Sequence, residues 1–127
     1  MADPKKIFIV DDDNFLLDMY ALKFTQKGFD VHTSLGSLPA LAKLREGFIP
    51  DILLLDIVMP DMDGFELLEK IKEENLAKDT IKIILSNRGA QADLLKGESL
   101  GAVGYIVKAT STPTEVIEKV LEIINKE

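Results

Sequence analysis

The chain has 127 residues, 46% apolar and 29% charged, no cysteine, and a net charge of −7. That length holds one ordinary domain, expected to span 1–127, and the apolar share is enough to offset the entropy of ordering it, which excludes a disordered chain. A disulfide framework is excluded, neither a secretory leader nor a membrane span is signalled, so the cytoplasm is the expected setting, and acidic charge with scattered lysines speaks against nucleic-acid binding by this domain.

The first apolar run, Ile7-Phe8-Ile9-Val10, is of strand length. A helical stretch follows from about Asn14 to Lys27, closed by Gly28, as glycine closes helices at their C-termini. Val31-His32-Thr33-Ser34 is more polar and fits an edge strand; His32, the only histidine, is expected to have a packing or surface role. Ile52-Leu53-Leu54-Leu55 is a third strand, and Asp63-Gly64-Phe65-Glu66 then places a capping side chain three residues before a glutamate. Ile81-Lys82-Ile83-Ile84-Leu85 makes a fourth strand, and a fourth helix is expected between about Gly89 and Gly101. Tyr105-Ile106-Val107 is the fifth strand, and Thr112-Pro113-Thr114-Glu115 is a second capping box with proline at the first helical position. In the helix that follows, Val116, Val120 and Ile124 share one face. Strands that are apolar almost throughout, alternating with helices, imply a parallel sheet covered on both sides. Such sheets bind ligands beyond the carboxyl ends of their strands.

Polar residues stand at those ends: Asp11, Asp12 and Asp13 after the first strand, Asp56 after the third, Ser86 after the fourth and Lys108 after the fifth. Asp13 can simply cap the next helix. Asp56 ends one apolar run and precedes Ile57-Val58-Met59-Pro60, so it is expected to be half buried, and an unpaired buried carboxylate is costly. Three carboxylates at one edge need cations, which Lys108 and a divalent ion would supply. Oxygen ligands without histidine or cysteine favour magnesium or manganese over zinc. Carboxylate, metal, lysine and the Ser86 hydroxyl are the parts of a phosphoryl-transfer site.

From about Lys5 to Ile124 the chain resembles a response-regulator receiver domain. The resemblance rests on Val10-Asp11-Asp12, on Leu55-Asp56-Ile57-Val58-Met59-Pro60 with Gly64, on Leu85-Ser86 and on Tyr105-Ile106-Val107-Lys108. The intervals of 44, 30 and 22 residues from Asp12 through Asp56 and Ser86 to Lys108 agree with the family. The resemblance implies a flavodoxin-like five-stranded parallel sheet of order 2-1-3-4-5. It makes Asp56 the phosphoacceptor, Asp12 a direct Mg²⁺ ligand, Asp11 a ligand through water and the Val58 carbonyl a further ligand. Lys108 becomes the phosphate-binding lysine, Ser86 the switch hydroxyl, and Tyr105 the switch aromatic, expected to be drawn inward on phosphorylation. Val58 and Arg88 are the positions that tune phosphoryl lifetime. A histidine kinase or histidine phosphotransfer protein is the implied donor, with a downstream protein target reading the fourth helix, fifth strand and fifth helix. One departure is Ala109, where the family usually has proline in a cis peptide; a non-proline cis bond costs about 2.5 to 4 kcal/mol, so the Lys108-Ala109 peptide is expected to be trans.

Three other readings compete with this one. A haloacid-dehalogenase-type phosphatase would use Asp11 and Asp13 after the first strand, but Asn14 and Phe15 follow and 127 residues leave no room for a cap. A flavodoxin would need a first loop rich in hydroxyls and glycine rather than aspartate. A receiver-like module that never takes phosphate would most readily have lost Asp56 or Lys108, and both are present.

Overall fold

The computed structural model describes residues 4–127. Five strands, β1 (Lys6–Asp11), β2 (Asp30–Leu35), β3 (Ile52–Leu55), β4 (Ile81–Ser86) and β5 (Ala102–Val107), form one parallel sheet in the order β2-β1-β3-β4-β5. Five helices connect or follow them: α1 (Asn14–Gln26), α2 (Ser37–Arg45), α3 (Gly64–Glu73), α4 (Gln91–Ser99) and α5 (Pro113–Lys126), with a short 3₁₀ turn at Lys108–Thr110. Order and direction agree with the sequence expectation, and the polar second strand lies at an edge.

The pleat divides the core. Phe8, Val10, Leu53, Leu55 and Ile84 pack with α2 and α3 on one face. Ile7, Ile9, Ile52, Leu54, Ile83, Leu85 and Ile106 pack with α1 and α5 on the other. Because successive strand residues point to opposite faces, each apolar run fills both layers at once, which is why β3 is buried at every position.

The helix ends are capped as their residues predict. The Asp13 carboxylate accepts from the Leu16 amide at 3.2 Å and starts α1. Asp63 with Glu66 and Thr112 with Glu115 close reciprocal capping boxes at α3 and α5. By contrast α2 and α4 have no side-chain cap, and Gly97 is the only buried residue of α4. β5 is longer than the sequence indicates, since Ala102 and Gly104 are weak strand formers that join through pairing with β4. The pairing shifts register between Lys82 and Ile83, leaving Val103 as an extra residue facing solvent.

The Thr112 backbone amide and hydroxyl hold the Glu115 carboxyl below its ordinary value. The stability this adds is present above the unfolded value of 4.5 and is lost as pH falls through the lower folded value. Glu115→Gln keeps the cap geometry and removes that dependence. Urea midpoints of wild type and variant are therefore expected to converge between pH 7 and pH 3, with the wild type losing more.

Candidate functional site

β1 and β3 lie side by side, with Val10 opposite Leu55, so the chain delivers Asp11 and Asp56 to adjacent positions at the same edge. The Asp56 amide donates to the Val10 carbonyl at 3.0 Å, continuing the ladder one step past the strand. Both carboxylates are buried, Asp11 at 2% and Asp56 at 7% exposure, while Asp12 faces solvent. One carboxylate oxygen from each of the three falls within 4.8 Å of the others.

Lys108, the first residue after β5, closes the group. Its Nζ donates to Asp11 Oδ2 at 2.7 Å and to Asp56 Oδ2 at 2.8 Å. The other oxygens have backbone donors: Ile57 N–H to Asp56 Oδ1 at 2.7 Å, and Asp13 N–H to Asp11 Oδ1 at 3.0 Å. Burial pushes the Asp11 carboxyl above its ordinary value despite the Lys108 ammonium and the Asp13 amide. Burial alone would lower Lys108, but its bonds to the two carboxylates outweigh it and hold the ammonium above its ordinary value. One ammonium thus faces three carboxylates. Three oxygen donors, no sulfur or imidazole, and a solvent-facing carboxylate at Asp12 fit a hard divalent cation that keeps several waters. Val58 follows Asp56 by two residues and its side chain is exposed. The Lys108-Ala109 peptide is trans, as expected, since the described residues contain no cis bond.

Ser86, the last residue of β4, is fully buried, and its Oγ accepts from the Arg88 amide at 3.3 Å. Tyr105 pairs across from Ile84 in β5. Its ring is half-buried and its hydroxyl donates to the Arg88 carbonyl. His32 packs against the Phe48 ring at 4.8 Å, away from the acids, in the packing role expected of it. Asp13 caps α1 and stands outside the carboxylate group.

Gly64 has a role its turn-forming chemistry does not disclose. A Cβ built there would lie 2.1 Å from the Asp56 carbonyl oxygen. The first residue of α3 thus rests directly on the Asp56 main chain, and the Gly64 amide donates to the Ile57 carbonyl at 2.8 Å. Glycine is required for close approach, a constraint visible only once the two segments are in contact.

An open α/β sheet with an acidic, lysine-bridged pocket at the carboxyl ends of its strands defines the flavodoxin-like class whose site lies where strand order reverses. Within that class, the chain belongs to the response regulator receiver domain family, which it matches over residues 7–121. It is a receiver domain of the two-component response-regulator type. It is 32% identical to the regulatory protein VanRc of Enterococcus gallinarum over 91% of this chain and 48% of that protein. Among solved structures it is similar to a CheY-like receiver domain protein from Methanospirillum hungatei, with TM-score 0.85, 31% identity and coverage of 97% of this chain and 95% of that one. The chemotaxis protein CheY4 of Vibrio cholerae superposes with TM-score 0.84 at 25% identity, over 94% of this chain and 98% of that one. The chain spans about half the length of the first curated relatives it matches. Among the described residues, no helix is long and apolar enough to cross a membrane.

Alanine at an ordinary helix start is neutral or favourable relative to glycine. Gly64→Ala is instead expected to destabilise the fold by about 1 to 3 kcal/mol, the usual cost of overpacking a tight site. Urea denaturation measures the loss, and amide shifts at 56 and 57 report the displaced carbonyl.

Proposed function

We propose that residues 1–127 act as one receiver unit that accepts a phosphoryl group on Asp56 from the phosphohistidine of a histidine kinase or histidine phosphotransfer protein. The observation that carries this reading is the Asp56 carboxylate, nearly buried, with Oδ1 held by the Ile57 amide and Oδ2 by Lys108, beside two further aspartates. A carboxylate so restrained presents its lone pairs in a fixed direction and cannot relax away from an incoming phosphorus.

In the transfer, an Asp56 oxygen attacks phosphorus as the P–N bond breaks, and the bonding pair returns to the imidazole nitrogen. No base is required when the nucleophile is a carboxylate. Lys108, within reach of Asp56 Oδ2, is placed to share its ammonium with the transferred oxygens. Mg²⁺ held by Asp12, Asp56 and the Val58 carbonyl, with Asp11 acting through water, would add positive charge against the same oxygens. Later attack of water at phosphorus breaks the P–O bond to Asp56, releases inorganic phosphate and restores the carboxylate. The domain thus assists both its own phosphorylation and its dephosphorylation.

With three carboxylates, Lys108 and a divalent ion, the resting site sums to about zero. Acyl phosphate near −2 in place of a carboxylate takes it to about −1, which draws in a hydroxyl donor. Ser86, at the end of the neighbouring strand β4, is the candidate, and Tyr105 and α4 carry its movement to the surface of α4, β5 and α5. A groove of about 490 Å³ lined by Leu94, Glu98, Gly101, Ala102, Val103, Gly104 and Tyr105 opens on that surface and suits a downstream protein target. The acidic balance supports a protein partner rather than nucleic acid or a membrane surface, and a cytoplasmic setting follows from the donor.

Acetyl phosphate with Mg²⁺ is expected to label the wild type with a hydroxylamine-labile phosphate and to leave Asp56→Asn unlabelled. An equal label in the variant would move the acceptor elsewhere, and a hydroxylamine-resistant label would point to serine or threonine. Separately, titration with Mg²⁺ is expected to shift amides at 10–13, 56–59 and 86–88 in the millimolar range, because magnesium gives up its water reluctantly. Shifts confined to other residues would remove the metal from this pocket.

A further inference from the structure

The β4–α4 connection contains one residue bonded in every direction. The Arg88 amide donates to Ser86 Oγ at 3.3 Å, and the Arg88 carbonyl accepts from the Tyr105 hydroxyl. The two side chains assigned to switching therefore meet on the main chain of a single residue. Its side chain leaves in a third direction: Nη2 donates to Asp93 Oδ1 at 2.8 Å, and the guanidinium carbon lies 5.8 Å from the centre of the Phe65 ring.

Each anchor sits on a different element. Asp93 belongs to the first turn of α4, where Ala90 offers no capping side chain. Phe65 belongs to the first turn of α3, next to Gly64, which rests on the Asp56 main chain. The same ring carries Lys96 of α4 at 4.9 Å on its face. Gly97 is the only buried residue of α4, and two cations, Arg88 just before the helix and Lys96 in its last turn, reach the one Phe65 ring.

We infer that Arg88 is a positioning residue: its guanidinium, clamped between Asp93 and Phe65, fixes the peptide to which both Ser86 and Tyr105 are bonded, so that the two switch side chains are set together and released together. The consequence for signalling rests on the phosphoacceptor reading, since a Ser86 hydroxyl drawn toward Asp56 leaves the peptide that also holds Tyr105. The positioning itself rests on contacts present without any phosphoryl group.

Arg88 is more than a neutraliser of Asp93, and Tyr105 tells the two roles apart. Burial raises the ionisation of the Tyr105 hydroxyl above its ordinary value, Asp93 raises it further, and Arg88 lowers it. If Arg88 acted only through charge, Arg88→Ala would leave the ring in place beside an unpaired Asp93 and push Tyr105 higher still. If Arg88 positions the acceptor peptide, Arg88→Ala frees the ring to turn into solvent, and Tyr105 falls back toward the ordinary tyrosine value of about 10.

The experiment is carbon-13 NMR of tyrosine-labelled apo protein, titrated to high pH, in wild type, Arg88→Ala, Arg88→Lys and the charge-swapped pair Arg88→Asp with Asp93→Arg. We expect the Tyr105 transition to fall in Arg88→Ala, to be largely restored in Arg88→Lys and the swap, and the Tyr20 transition to stay fixed. Amides of 91–99 should exchange about 2- to 5-fold faster in Arg88→Ala, the range of an exposed ion pair. A Tyr105 transition that rises or stays put in Arg88→Ala would overturn the inference, as would equal exchange in all four proteins. Acetyl phosphate labelling of the same variants is scored separately: absence of a hydroxylamine-labile phosphate in wild type would sink the phosphoacceptor reading and leave the apo result standing.

Discussion

Two buried carboxylates sharing one ammonium is the constraint around which the rest of this protein is arranged. Asp11 and Asp56 are nine-tenths or more withdrawn from water and stand at neighbouring strand ends, where burial first and the Asp56 charge last raise the cost of ionising Asp11. Lys108 bonds both at under 3 Å. A pair so desolvated is poor as a source of stability, because replacing buried charges with apolar groups is often neutral or favourable. Its persistence in the fold is therefore better explained by chemistry than by folding energy. The sheet around it is built accordingly, with the wholly apolar β3 and the apolar runs of β1 and β4 providing the rigidity that the charged edge does not.

The local sequence announced most of this architecture because each signal had a short-range physical cause. Asp63 and Glu66 satisfy one another's amides within four residues, and so do Thr112 and Glu115, so those helix starts were legible from adjacent letters. The four apolar residues of β3 needed burial on both faces, and only a parallel sheet under two helical layers gives that. The pocket was legible for a related reason: in such a sheet every strand exit opens on the same edge, so polar residues at successive exits must converge.

What stayed hidden depends on contacts between distant segments. Nothing in Gly64 or its neighbours says that Asp56 lies against it, since the conflict exists only between two packed backbones. Arg88 was marked by resemblance as a position that tunes phosphoryl lifetime, yet its main chain as the meeting place of Ser86 and Tyr105 is a product of register between β4 and β5. The hydroxyl of Tyr105 likewise finds its acceptor 17 residues away in sequence. Such roles belong to the carbonyl and amide, which carry no residue-specific signal.

The extra residue at Val103 decides more than local shape. In β5, Ala102 lies with the α2 and α3 layer, whereas Gly104 meets Ile123 of α5 on the opposite side. That one-residue slip puts Tyr105 on the face of Ile84 and α4, and puts Ile106, then Lys108, on the face of α1 and α5 with the rows that end in Asp11 and Asp56. The strand therefore behaves like a reading frame. Insertions or deletions in the connection before Ala102 leave the frame intact, while a change of one residue between Gly104 and Lys108 would turn the ammonium to the wrong side of the sheet and separate the two carboxylates from the cation they share.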